Sequence, residues 1–103
     1  MLLRRTEPPK LLLDERFRAL HAHAGGTAKV SISVEGEPAP SVTWYKDNAP
    51  LRARPNVVVD VGEATTTLVI RRMTREDAGE YEVSARNEWG TTKERFTVKV
   101  VGA

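Results

Sequence analysis

The chain has 103 residues, a length that suits one domain around one core. Forty per cent of the residues are hydrophobic and 29% are charged, which is enough apolar material to fill that core and too much for a disordered chain. The net charge of +2 mixes both signs among few aromatics, which excludes the dense basic face of a nucleic-acid binder, and no apolar run approaches the roughly 20 residues that cross a bilayer.

Met1-Leu2-Leu3-Arg4-Arg5 lacks an apolar stretch long enough for a signal peptide. Thr6-Glu7-Pro8-Pro9-Lys10 reads as an extended linker, because successive prolines disfavour a helix and a central strand alike. Residues 1–8 therefore read as linker or the end of a preceding domain, 9–101 as the domain itself, and 102–103 as the start of a further linker. Leu11-Leu12-Leu13 begins an edge strand, and Asp14-Glu15-Arg16-Phe17 is open between a loop and a short helical turn. His21 and His23 lie two apart, on one face of a strand. Zinc usually takes at least three protein ligands, and the chain offers no cysteine and no third histidine, so solvated imidazoles and no metal are expected.

After the Gly25-Gly26 turn, Ala28, Val30, Ile32 and Val34 alternate with Lys29, Ser31, Ser33 and Glu35, the period of a strand with one buried face. Gly36-Glu37-Pro38-Ala39-Pro40 closes it. Val42, Trp44 and the stem of Lys46 make the inward face of the next strand, which ends at the turn residues Asp47-Asn48-Ala49-Pro50. Val57-Val58-Val59 is strand-like, and Thr65–Ile70 is a strand with Leu68 and Ile70 inward. Thr74-Arg75-Glu76-Asp77 has the spacing of a capping box, equally compatible with a polar loop. Tyr81, Val83 and Ala85 share one face of a further strand. Asn87-Glu88-Trp89-Gly90 is a hairpin signal that puts Gly90 at a left-handed position. Phe96, Val98 and Val100 alternate in the last strand.

Seven or more short strands separated by turn signals define an all-β sandwich, with a barrel still open on pattern alone. There is no P-loop, G-x-S-x-G elbow, HExxH or dinucleotide fingerprint, no cysteine nucleophile, and no serine with an evident histidine partner. Neither catalysis nor a cofactor is expected. The absence of cysteine and of Asn-X-Ser/Thr acceptors favours a reducing, intracellular setting.

Gly36-Glu37-Pro38-Ala39-Pro40-Ser41-Val42-Thr43-Trp44 resembles the B–C segment of I-set immunoglobulin domains, where a G-x-P-x-P turn leads to the core tryptophan. Asp77-Ala78-Gly79-Glu80-Tyr81-Glu82-Val83-Ser84-Ala85-Arg86-Asn87 resembles their D-A-G-x-Y-x-C-x-A-x-N turn and strand. The resemblance implies a Greek-key immunoglobulin β-sandwich without its disulfide, since Ile32 and Val83 occupy the two cysteine positions. The missing bridge is worth about 4 kcal/mol for a loop near fifty residues, against roughly 1.5–3 kcal/mol for each buried aliphatic. Tyr81 resembles the tyrosine corner, with its hydroxyl on nearby backbone.

Glu7-Pro8-Pro9-Lys10-Leu11-Leu12-Leu13-Asp14 is similar to the start of immunoglobulin domains in the giant sarcomeric family of titin, twitchin, projectin and myosin-binding protein C. His21–Gly26 is similar to their A′ strand and turn. This resemblance implies a non-catalytic spacer or docking bead of the cytoplasmic A-band. Its partners would be neighbouring immunoglobulin or fibronectin type III domains, and myosin or other sarcomeric proteins. No nucleic acid or membrane is expected, and the isolated domain is expected to be monomeric. The alternatives are a regulatory module beside a kinase and an extracellular adhesion-receptor domain. Ile32, Trp44, Leu68, Tyr81 and Val83 are the expected core. Trp89, in a hairpin turn where a core role is hard to arrange, is the candidate interaction residue, with folding back over its own sheet as the rival reading. Arg52 and Arg54, with Arg71, Arg72 and Arg75, are basic spots that could meet an acidic surface or simply be solvated.

Overall fold

A computed structural model of the chain describes residues 6–52 and 54–102. The described residues form nine strands and two short 3₁₀ turns: β1 (Glu7–Leu12), β2 (Ala19–His23), β3 (Ala28–Glu37), β4 (Ser41–Lys46), β5 (Ala49–Pro50), β6 (Val57–Val61), β7 (Thr65–Ile70), β8 (Gly79–Asn87) and β9 (Gly90–Val101). One sheet has the order β1-β3-β7-β6 and the other β2-β9-β8-β4-β5. All pairings are antiparallel except β2 with β9, which is parallel.

The period-two alternation decides which faces meet. Val30, Ile32 and Val34 of β3 are buried while Lys29, Ser31, Ser33 and Glu35 face out. Leu68 and Ile70 of β7 complete the inner face of that sheet, opposite Trp44, Tyr81, Val83, Ala85, Phe96 and Val98 of the other. Ile32 and Val83, each fully buried, stand on the two opposed sheets, at the positions that the resemblance gives to the missing disulfide. Phe96 stacks on Tyr81 at 5.4 Å between ring centroids and meets Trp44 edge to face at 6.0 Å. Ile32, Trp44, Leu68, Tyr81 and Val83 are all buried.

Two features were hidden from the pattern. Thr66 is fully buried on β7 because its Oγ1 accepts the Trp44 indole N–H at 2.8 Å and donates to the Asp60 carbonyl at 3.0 Å. A polar residue is thereby tolerated where the two sheets meet. Met73, also buried, follows Arg72, whose φ of 47° swings the chain inward after β7. The capping-box spacing is realised in the 3₁₀ turn Arg75–Asp77: Asp77, only 1% exposed, accepts the Thr74 N–H at 2.9 Å, and it also takes bonds from Asn56 Nδ2 at 3.2 Å and Arg54 Nη1 at 3.3 Å.

Two expectations change. Strand pairing begins at Glu7, inside the segment read as linker. A register shift between Glu7 and Lys10 lets Pro8 and Pro9 pass along the sheet edge without presenting N–H groups to β3. Gly90 does not adopt a positive φ. The hairpin is instead shaped by Asn87, whose Oδ1 accepts the Trp89 N–H at 2.8 Å. The segment Asp14–Phe17 resolves as a 3₁₀ turn, Glu15–Phe17, capped by Asp14 Oδ1 on Arg16 N at 3.0 Å.

Candidate interaction site

The glycine-bearing motifs hold both ends of the sandwich. Gly36 has φ +148°, and a Cβ there would lie 2.8 Å from Pro40 Cγ and 3.2 Å from Pro9 Cα, so the G-x-P-x-P turn closes only over a hydrogen. At the other end Gly79 has φ +149°, and a Cβ would lie 2.7 Å from the Asp47 carboxylate. That space admits the carboxylate, which accepts the Glu80 N–H at 3.0 Å and the Lys46 ammonium at 3.2 Å. The Glu80 N–H, then Lys46, hold the Asp47 carboxyl below its ordinary pKa. Asp47 and Asn48 both adopt left-handed φ, 50° and 67°, the geometry of a tight two-residue hairpin between β4 and β5.

Tyr81 donates its hydroxyl to the Asp77 carbonyl at 2.7 Å, the tyrosine corner that the sequence implied. Burial, then the negative charge of Asp77, push its pKa above the usual phenol value, so it stays a donor across the physiological range.

Trp89 lies at the tip of the β8–β9 hairpin with 53% of its surface exposed. Beneath it Asn87 Nδ2 donates to the Glu7 carbonyl at 2.8 Å and to Pro38 O at 3.1 Å. One side chain therefore ties the hairpin to the first strand and to the β3–β4 turn, a role that pattern reading missed because none of its partners is near in sequence.

The basic residues do not gather around Trp89. The hairpin is at the end of the sandwich where Ser41 pairs with Arg86, whereas Arg54 is beside the turn that contains Asp77, at the opposite end. Arg54 is held within the domain, 3.3 Å from Asp77 and 3.2 Å from Glu76. Arg52 is exposed and makes no ion pair among the described residues. Arg71 and Arg72 follow the end of β7. His21 and His23 are exposed on β2, and no group of three or more His, Cys, Asp or Glu comes together among the described residues. No described helix is long and apolar enough to cross a membrane.

Two antiparallel-dominated sheets packed face to face, with a tryptophan and a tyrosine corner in the core, define an immunoglobulin-type β-sandwich. Within that class the chain belongs to the immunoglobulin I-set domain family, whose model matches residues 12–100. It is 31% identical to titin of Drosophila melanogaster over 96% of its own length, a share of that protein that rounds to 0%. Myosin-binding protein H of Gallus gallus is 31% identical over 93% of the chain, which covers 18% of that protein. Vascular endothelial growth factor receptor 3 of Danio rerio is 36% identical over 93% of the chain and 7% of the receptor. Among solved structures, the titin M3 domain superposes with a TM-score of 0.79 at 32% identity, covering 90% of this chain and 96% of that one. A chain from the complex of titin M10 with an obscurin-like 1 immunoglobulin domain gives 0.81 at 30% identity, covering 94% and 96%. The chain thus spans a small fraction of the curated relatives it matches, several of which are muscle proteins.

Proposed function

We propose that this chain is a non-catalytic structural and protein-binding module of a giant muscle cytoskeletal protein, a spacer or docking bead along the thick filament in the A-band. The observation that carries this reading is the match along nearly the whole chain to titin, of which one such domain is a vanishing part. The core supports it: Ile32 and Val83 let the sandwich fold reduced, as a cytoplasmic module must. Its nearest partners are neighbouring immunoglobulin or fibronectin type III domains, contacted in part through Trp89. A titin immunoglobulin domain in complex with an obscurin-like 1 domain supports a docking role beside the spacer role.

The similarity to a growth-factor receptor supports a second reading, an extracellular receptor module. The lack of cysteine weighs against it. A regulatory place beside a kinase is a third, and neighbouring sequence separates it from the first.

Co-sedimentation of the purified domain with myosin filaments and, separately, actin filaments across a salt series tests the docking role. Saturable binding to myosin at physiological salt is expected. Binding to neither filament would favour a passive spacer or a partner outside the filament set.

A further inference from the structure

The sandwich leaves several strand edges open, and most are blunted. β1 carries two prolines and a register shift, and β5 is two residues long and ends in Pro50. The stretch of β9 not covered by β2 contains Lys93, Glu94 and Arg95. β6 is different. It is the outer strand of its sheet, reads Val57-Val58-Val59-Asp60-Val61, and has neither proline, lysine nor bulge. Val58, Val59 and Val61 are 52%, 37% and 52% exposed.

The register shows which main-chain groups of β6 are free. Hydrogen-bonded pairs alternate along an antiparallel ladder. Arg71 N–H donates to Asn56 O at 2.8 Å, and Gly62 N–H donates to Thr65 O at 2.8 Å. Between those two points the bonded pairs are Val58 with Val69 and Asp60 with Thr67. Val59 and Val61 therefore turn their N–H and C=O groups away from β7, two donors and two acceptors with no partner among the described residues. Val57 is excluded, because its N–H is already bonded to Arg54 O at 3.0 Å.

Beside this edge is an open groove of about 370 Å³, with a mainly apolar lining that includes Val42, Leu51, Val57, Val59 and Val61. Arg52 also lines it, exposed and without an acidic partner among the described residues. Unused strand hydrogen bonds, an apolar slot and an unpaired guanidinium are the three components of recognition by strand addition.

We propose that β6 is a docking edge for an extended segment of a partner protein, one that alternates apolar and polar residues and carries a carboxylate. The segment adds as a strand through Val59 and Val61, places an apolar side chain in the groove, and sets its carboxylate on Arg52. A second copy of this chain is the less suitable occupant, because β6 does not alternate apolar and polar residues, four of its five being valine. The inference deepens the docking reading above by naming its face, and its test is independent of filaments. A failed peptide titration with intact myosin binding would overturn this edge alone.

The test is an amide NMR titration with a capped peptide in which valine and threonine alternate around one glutamate. Saturable shifts centred on Val59, Val61 and Arg52 are expected, with slowed hydrogen exchange at the Val59 and Val61 amides. Replacing the glutamate of the probe by lysine should weaken binding about tenfold, one charge-assisted contact. Backbone N-methylation of the probe should abolish it without any change to the protein. Arg52→Glu should reverse the preference between the glutamate and lysine probes, and Val59→Lys should prevent binding while the remaining amide spectrum stays folded. Shifts centred elsewhere, equal binding of the N-methylated probe, or concentration-dependent pairing of the domain through β6 with no response to the peptide would each overturn the proposal.

Discussion

Trp44 reaches across the core to the opposite sheet, its indole N–H on Thr66 and its ring edge against Phe96. Truncation to alanine leaves a cavity between the sheets and a buried hydroxyl short of one partner. Trp44→Ala should lower stability by about 3–5 kcal/mol in urea denaturation, and a variant that melts with the parent would contradict the core assignment. Tyr81 poses a finer question, because Tyr81→Phe keeps the ring stacked on Phe96 and removes only the bond to the Asp77 carbonyl. The expected loss is about 1–3 kcal/mol, the cost of an unsatisfied buried acceptor, and a loss within error of zero would show the corner hydroxyl to be idle. Both residues were visible from their motifs. Thr66 was not: a threonine within Thr65–Ile70 reads as an ordinary strand residue, and only the indole on the other sheet explains its burial.

At the scale of elements, the β4–β5 hairpin and the start of β8 are joined through Asp47. Its carboxylate accepts from Glu80 N, and its own N–H donates to Glu80 O at 2.8 Å. Folding holds this carboxyl below its ordinary value of 3.8, so the unfolded chain takes the proton first as pH falls. The contribution is fully present above the ordinary value and disappears as pH drops through the lower, folded one. Asp47→Asn should therefore flatten the fall in stability over that acid window, read as urea midpoints at successive pH values. An unchanged acid slope would assign the pH dependence to other carboxylates. The Asp-Asn turn and the following D-A-G motif were each legible as local chemistry. Their mutual contact was not, because 33 residues separate Asp47 from Glu80. The same limit applies to β1, where two prolines spoke for a linker and pairing with β3 overrode them through an irregular register.

For the whole molecule, the test is how the sandwich holds together without a cross-link. Ile32 and Val83 face each other's sheets at full burial. The Ile32→Cys/Val83→Cys double variant should form a bridge on oxidation and gain about 4 kcal/mol over its reduced form, from closing a loop near fifty residues. The comparison of oxidised and reduced denaturation midpoints checks it. Failure of the bridge to form would mean that the two positions are not opposed as cysteines are in disulfide-bonded relatives.

The sequence by itself determined the strands, the inward faces and the family, because side-chain alternation, glycine turns and the tryptophan and tyrosine motifs are local properties of the chain. It also named Trp89, Arg52 and Arg54 as candidate interaction residues. Only the tertiary structure decided where they stand and what surrounds them. It placed Trp89 at one end of the sandwich, drew Arg54 into the buried Asp77 at the other, and left Arg52 beside an open strand edge. The physical reason is that burial depends on neighbours within a strand, whereas availability for a partner depends on what distant segments cover. A run of valines reads as core in any sequence, and the sheet order alone leaves β6 on the outside.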